Sequence, residues 1–177
     1  MSTDTPTISE TDRLIGAGQR LHINAAGGNS ADHGFHDDWP HRNTSADISG
    51  ESETYKANLR RAITEKLALI HEEISEALGE IRSGRDPLEI YYSTTIKLKD
   101  DSGKTVSEET VYYDKQSYDA DGKPLCKPEG FLVELADANI RINDLVYLVD
   151  GEDKYVEADR TKRHYNTTRP YKHGRKF

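Results

Sequence analysis

Leu67-Ala68-Leu69-Ile70-His71-Glu72-Glu73-Ile74-Ser75-Glu76-Ala77-Leu78 lies inside a run, 54–83, in which Leu67, Ile70, Ile74, Ala77, Leu78 and Ile81 recur at steps of three and four. That spacing predicts one long amphipathic helix, because residues three and four apart share a helix face. Gly84 and Pro87 supply its stop. At about 100° per residue, Glu73, Glu76 and Glu80 flank the apolar stripe, whereas Glu72 points about 200° away from Ile70.

Downstream, Pro128-Glu129-Gly130 introduces a second helix, 131–149, since proline and an acid both suit a first turn. Along it Glu134, Asp137, Arg141 and Asp144 follow one another at steps of three, four and three. Leu135, Ile142, Val146 and Val149 line one edge of that seam, and Val133, Ile140 and Tyr147 the other. Packing such a helix buries the charged seam, and buried carboxylates are expensive unless they are paired or neutralised. A divalent cation is the ordinary neutraliser, and oxygen-only donors favour magnesium, manganese or calcium over zinc. The competing reading of Glu73 and Glu76 is a solvated helix face.

The remaining segments are read around these two helices. A helix is expected over 9–26, with Leu14, Ile15, Ala17, Leu21 and Ala25 as core positions and Gly27-Gly28-Asn29 as its stop. The stretch 29–53 reads as a long polar loop carrying Phe35 and Trp39. Two runs rich in Ile, Val, Tyr and Thr, within 89–114, surround Asp100-Asp101-Ser102-Gly103 and predict a β-hairpin. The residues 115–127 read as loop, and 152–177 as a helix followed by a basic tail.

The 177 residues suit a single domain, and with 34% apolar against 32% charged residues its core is thin, which oligomerisation would supplement. A net charge of −8 argues against a nucleic-acid-binding protein. Cys126, the one cysteine, forms no internal disulfide and completes no zinc motif. The polar Met1–Glu10 has no secretory pattern, and no run is apolar enough to span a bilayer, so a cytoplasmic protein without membrane association is expected. His71-Glu72-Glu73-Ile74-Ser75 lacks the second histidine of a metalloprotease, neither acidic helix carries the Glu-x-x-His of a di-iron bundle, and no P-loop is present.

His71-Glu72-Glu73-Ile74-Ser75-Glu76, followed by Glu134-Leu135-Ala136-Asp137, resembles the EExxE and ExxD signature of MazG-like nucleotide pyrophosphohydrolases, a superfamily that includes all-α dUTPases and dCTPases. The likeness extends to Glu129-Gly130-Phe131, to Ile140-Arg141-Ile142-Asn143-Asp144, and to the basic tail from Tyr165 to Lys176. Leu21-His22-Ile23-Asn24-Ala25 and Gly34-Phe35-His36-Asp37-Asp38-Trp39 are similar to phage and bacterial members. The resemblance implies an all-α, four-helix-bundle-like core with an inserted β-hairpin, and a single domain over 1–177. It implies hydrolysis of a (d)NTP to the monophosphate and pyrophosphate, with Mg²⁺, or Mn²⁺ in its place, held by Glu73, Glu76, Glu134 and Asp137. A homodimer or homotetramer is implied as well. The gap between Glu76 and Glu134 is longer than the family's usual loop, because it holds the hairpin.

Glu72, Glu73 and Glu76 are the candidate catalytic acids, Glu72 or Glu76 serving as base. Candidate substrate contacts are His22, Asn24 and Asp144 at the base edge, Phe35 and Trp39 as stacking rings, and Arg141. In the tail, Arg169, Lys172, His173, Arg175 and Lys176 suit phosphates. Each has a plainer alternative: Trp39 as an anchor of its loop, Arg141 as a partner of Asp137 or Asp144, the tail as a solvated terminus. The loop residues His33, His36, Asp37, Asp38 and His41 suit either a metal or solvent. Two other functions fit the same acids: a non-catalytic helical interaction protein with a structural ion, and a hydrolase of a signalling nucleotide. The substrate itself, dUTP, dCTP or a modified nucleotide, is left open by the sequence.

Overall fold

The computed structural model describes residues 8–40 and 51–170. In chain order it holds α1 (Glu10–Asp32), α2 (Glu53–Arg82), β1 (Tyr91–Lys99), β2 (Thr105–Tyr113), β3 (Lys127–Glu129), α3 (Phe131–Leu148) and α4 (Glu152–Thr167). The fold is therefore mixed, four helices with a three-stranded antiparallel sheet, and the all-α expectation is corrected. The chain divides into two compact units, 1–66 with 140–177, and 67–139.

In the first unit, Ser9 caps α1 by accepting the Asp12 amide at 3.1 Å. The helix does not stop at Gly27-Gly28 as expected but continues to Asp32. The reason is tertiary: a Cβ on Gly27 would fall inside the ring of Tyr147, so this glycine serves close packing of α1 on α3 rather than termination. The segment expected as loop from residue 29 thus begins with the last turn of α1, and its histidine-rich part starts at the C-cap, His33. Helix α4 lies along α1, tied by Arg20 to Asp153 at 2.9 Å and by Arg163 to Asp12 at 2.9 Å. Among the described residues of this unit, Ile23, Ala26, Tyr55 and Leu59 are the buried apolar ones.

The second unit is built on the sheet, in the order β2-β1-β3. Strands β1 and β2 pair antiparallel from Tyr92↔Tyr113 to Leu98↔Ser107, with a bulge between Leu98 and Lys99. Asp100 shapes the turn by accepting the amides of Ser102 and Lys104. Beyond β2 the loop closes on itself, Gln116 bonding both backbone groups of Cys126, and returns the chain as β3. Strand β3 pairs Tyr91↔Glu129, Tyr92↔Pro128 and Ser93↔Lys127. Pro128 is tolerated because β3 is an edge strand, where a missing N–H breaks no ladder on the outer side. The residues read as loop up to Lys127 therefore end in a third strand.

Gly130 joins β3 to α3 with φ of 124°, and a Cβ there would press on the carbonyl of Glu89. Helix α3 starts at once: Glu134 donates its amide to Gly130 O at 3.1 Å. Ala77, Tyr91 and Ala138 are the buried apolar residues of this unit. The larger members of the α2 stripe remain uncovered, Leu67, Ile74, Leu78 and Ile81 being 40 to 52% exposed. No helix among the described residues is long and apolar enough to cross a membrane.

Candidate metal centre

Glu73 comes from α2, one step along the acidic edge of its stripe, and Glu134 and Asp137 come from successive turns of α3. One carboxylate oxygen from each lies within 4.8 Å of the others. Among the described residues this is the one group of three or more potential ligands. Glu73 is 6% and Glu134 2% exposed, and Asp137 is half-buried.

Three buried side-chain oxygens among the described residues have no hydrogen-bond partner: Gln19 Oε1, Glu80 Oε2 and Glu134 Oε2. Of these, only Glu134 belongs to the three-carboxylate group. Burial pushes its carboxyl up to about 7; Glu76, Glu129 and Asp137 push the same way, and Lys127 opposes them. A buried carboxyl with an orphaned oxygen among other acids is stable only if it is protonated or bound by a cation. The donor set is oxygen alone, so the residues fit a hard divalent cation such as Mg²⁺ or Mn²⁺.

Glu76 is exposed on α2, with its charge felt by both Glu134 and Lys127. Glu72 is exposed as well. Glu80 accepts the phenol of Tyr91 at 3.0 Å, and burial with that bond raises Tyr91 to about 12. The guanidinium of Arg85 lies 3.8 Å over the centre of the Tyr91 ring.

The sheet adds residues that were not foreseen. Glu129 accepts the Ser93 hydroxyl at 2.6 Å and the Lys127 ammonium at 3.0 Å. Both act on Glu134 electrostatically. Glu129 was read only as part of the approach to the second helix, and Lys127-Pro128-Glu129 is too short to read as a strand.

The remaining candidates lie in the first unit. Asp144, 5% exposed, receives His36 Nε2 at 2.7 Å and Lys66 Nζ at 3.1 Å, so its carboxylate is already engaged by two side chains. His36 also stacks on Tyr147. This pairing answers the reading of the histidine-rich segment as a metal loop: among its described members His36 turns to Asp144, and His33, Asp37 and Asp38 are exposed. Trp39 is half-buried and, with Pro40, Tyr55, Leu59, Leu148, Val149 and Asp150, lines a cavity of about 200 Å³. Phe35 is 68% exposed and is not among the residues that line this cavity.

Asn24 borders a separate cleft with Ile23 and Tyr147, and His22 is exposed. Arg141 is half-buried. Arg169 stands 5.8 Å from the centre of the Tyr165 ring. Lys172, His173, Arg175 and Lys176, like His41, lie outside the described residues. Comparison with known protein families, with curated proteins and with solved structures gave no match, so the arrangement of these side chains is what bears on function.

Proposed function

We propose that the chain is a Mg²⁺-dependent nucleoside triphosphate pyrophosphohydrolase of the MazG-like kind, converting a (d)NTP to the monophosphate and pyrophosphate. The observation that carries this reading is Glu134 Oε2, buried and without a partner inside a cluster of three carboxylates. Glu73, Glu134 and Asp137 would hold the cation. When bound, it supplies charge neutralisation for the phosphates and makes water more acidic.

The chain's own residues take the remaining tasks. Glu76 is three residues from Glu73, hence on the same side of α2, and exposed, so we assign it as the group that takes the proton of the attacking water. Glu72 is directed to another side of the helix and is the weaker candidate. The buried Glu134 and Glu73 would fix where the cation sits, and only through it where a phosphate can approach, because their oxygens are shielded from bulk water.

The test is pyrophosphate release from a panel of canonical, deoxy and modified nucleoside triphosphates, with Mg²⁺ and with chelator. Release that needs the metal and is lost in Glu134→Gln and Asp137→Asn, with the helical circular dichroism retained, is the expected result. Release that persists with chelator, or in both variants, would overturn it. The uncovered stripe of Leu67, Ile74, Leu78 and Ile81 favours a second reading, an interaction protein whose acids hold a structural ion. Mn²⁺ binding without pyrophosphate release from any member of the panel would select that reading.

A further inference from the structure

Lys127 is delivered to the acid cluster by the sheet rather than by either acidic helix. Alternate residues of a strand share a face, so Lys127 and Glu129 leave β3 on one side, opposite Ser93 and Tyr91 in the register of β1. Glu129 is held at both oxygens, one by the buried Ser93 and the other by Lys127. Its side chain is 17% exposed, whereas that of Lys127 keeps 57% exposure. The ammonium is thus anchored on its inner side and open to solvent on its outer side.

A lysine that served only to offset the buried acids would be expected on the orphaned oxygen of Glu134. It is not there: Lys127 is bonded to Glu129, within electrostatic reach of Glu134 and Glu76, while Glu134 Oε2 stays without a hydrogen bond. The cluster therefore presents a buried carboxylate oxygen without a hydrogen bond, suited to a cation, in the same electrostatic neighbourhood as a solvent-facing ammonium, suited to an anion. A ligand that carries both is a metal-bound polyphosphate, and an ammonium with three donors is a common phosphate partner.

We propose that Lys127 is a polyphosphate-binding residue whose ammonium donates to a non-bridging oxygen of the nucleotide, and of the pyrophosphate released from it, with Glu129 and Ser93 as its positioning residues. The proposal rests on the metal reading of Glu73, Glu134 and Asp137, and it gives the inserted sheet a task at that site. The anion arriving with its cation would otherwise meet an acidic rim of Glu76 and Glu129. Lys127 is the group that turns this repulsion into a contact.

The test separates anion from cation. Binding of pyrophosphate to the full chain at saturating Mn²⁺ is measured by calorimetry, and binding of Mn²⁺ alone by electron paramagnetic resonance. Lys127→Gln is expected to weaken pyrophosphate binding by about tenfold or more, the loss of one charge-assisted hydrogen bond. Its Mn²⁺ affinity should be unchanged or tighter, since a positive charge has left the cluster, and Lys127→Arg should restore part of the pyrophosphate binding. Pyrophosphate binding by Lys127→Gln equal to that of the unaltered chain would overturn the proposal, as would a parallel loss of Mn²⁺ affinity, which would mark a scaffold role. If the unaltered chain binds no Mn²⁺, the metal reading falls first and takes this one with it.

Discussion

Glu134 concentrates the chemistry of the second unit in one carboxyl. Its value of about 7 lies above the 4.5 of an ordinary glutamate, chiefly through burial. For a carboxyl raised on folding, the stability contribution is fully present below the unfolded value, near 4.5, and is lost as pH rises through the folded value, near 7. Without divalent cation, the chain should therefore lose stability between those two pH values, and the melting temperature followed across that window checks it. A cation must displace the same proton, so Mn²⁺ affinity should increase through pH 7 and level off above it. Both trends should vanish in Glu134→Gln. Helical periodicity placed Glu134 and Asp137 on one seam and Glu73 beside the stripe of α2, but it also placed Asp144 on that seam and Glu76 beside Glu73, and neither belongs to the three-carboxylate group. Lys127 and Ser93 were not legible in the sequence, because no local spacing says that a strand will bring them there.

At the scale of elements, the two acidic helices follow their apolar spacing closely, while α1 and the sheet depart from it. Helix α1 runs through Gly27 because Tyr147 occupies the space a side chain would need. This predicts that Gly27→Ala destabilises the chain, despite alanine's better helix propensity, by about 1–3 kcal/mol as expected for overpacking. Chemical denaturation measures it; a stabilised Gly27→Ala would mean that the glycine is only a weak helix former at this point. Strand β3 escaped the sequence reading for a related reason. Three residues with a central proline carry no alternation worth counting, and their pairing with Tyr91 to Ser93 is a product of the loop that returns them. The hairpin was foreseen from its turn and its β-branched runs, but not that it had a third strand beside the acids.

For the whole chain, the thin core anticipated from composition is borne out in the burial of its side chains. Ile23 is the largest fully buried residue among those described, and Leu67, Ile74, Leu78 and Ile81 of the α2 stripe are open to solvent. A face of that length is the surface through which we expect the chain to associate with copies of itself. Light scattering on the purified chain should give a multiple of the monomer mass, and Ile74→Glu combined with Leu78→Lys should return it to the monomer. A monomeric unaltered chain would remove the self-association reading and leave the stripe for a different partner. The step from periodicity to a buried stripe fails here for a physical reason: the pattern says which face avoids water, not whose surface covers it.

Trp39, the chain's one tryptophan, lies in the cavity beside Tyr55, within the first unit. Emission excited at the red edge of the indole band is therefore a private reporter of that unit, blue-shifted while the cavity is intact. The second unit carries no such fluorophore, so events among its carboxylates are optically silent unless they propagate. Tyr113→Trp in a Trp39→Phe background would move the one indole to the exposed sheet, and the same titration followed in the two proteins would time what happens in each unit of the chain.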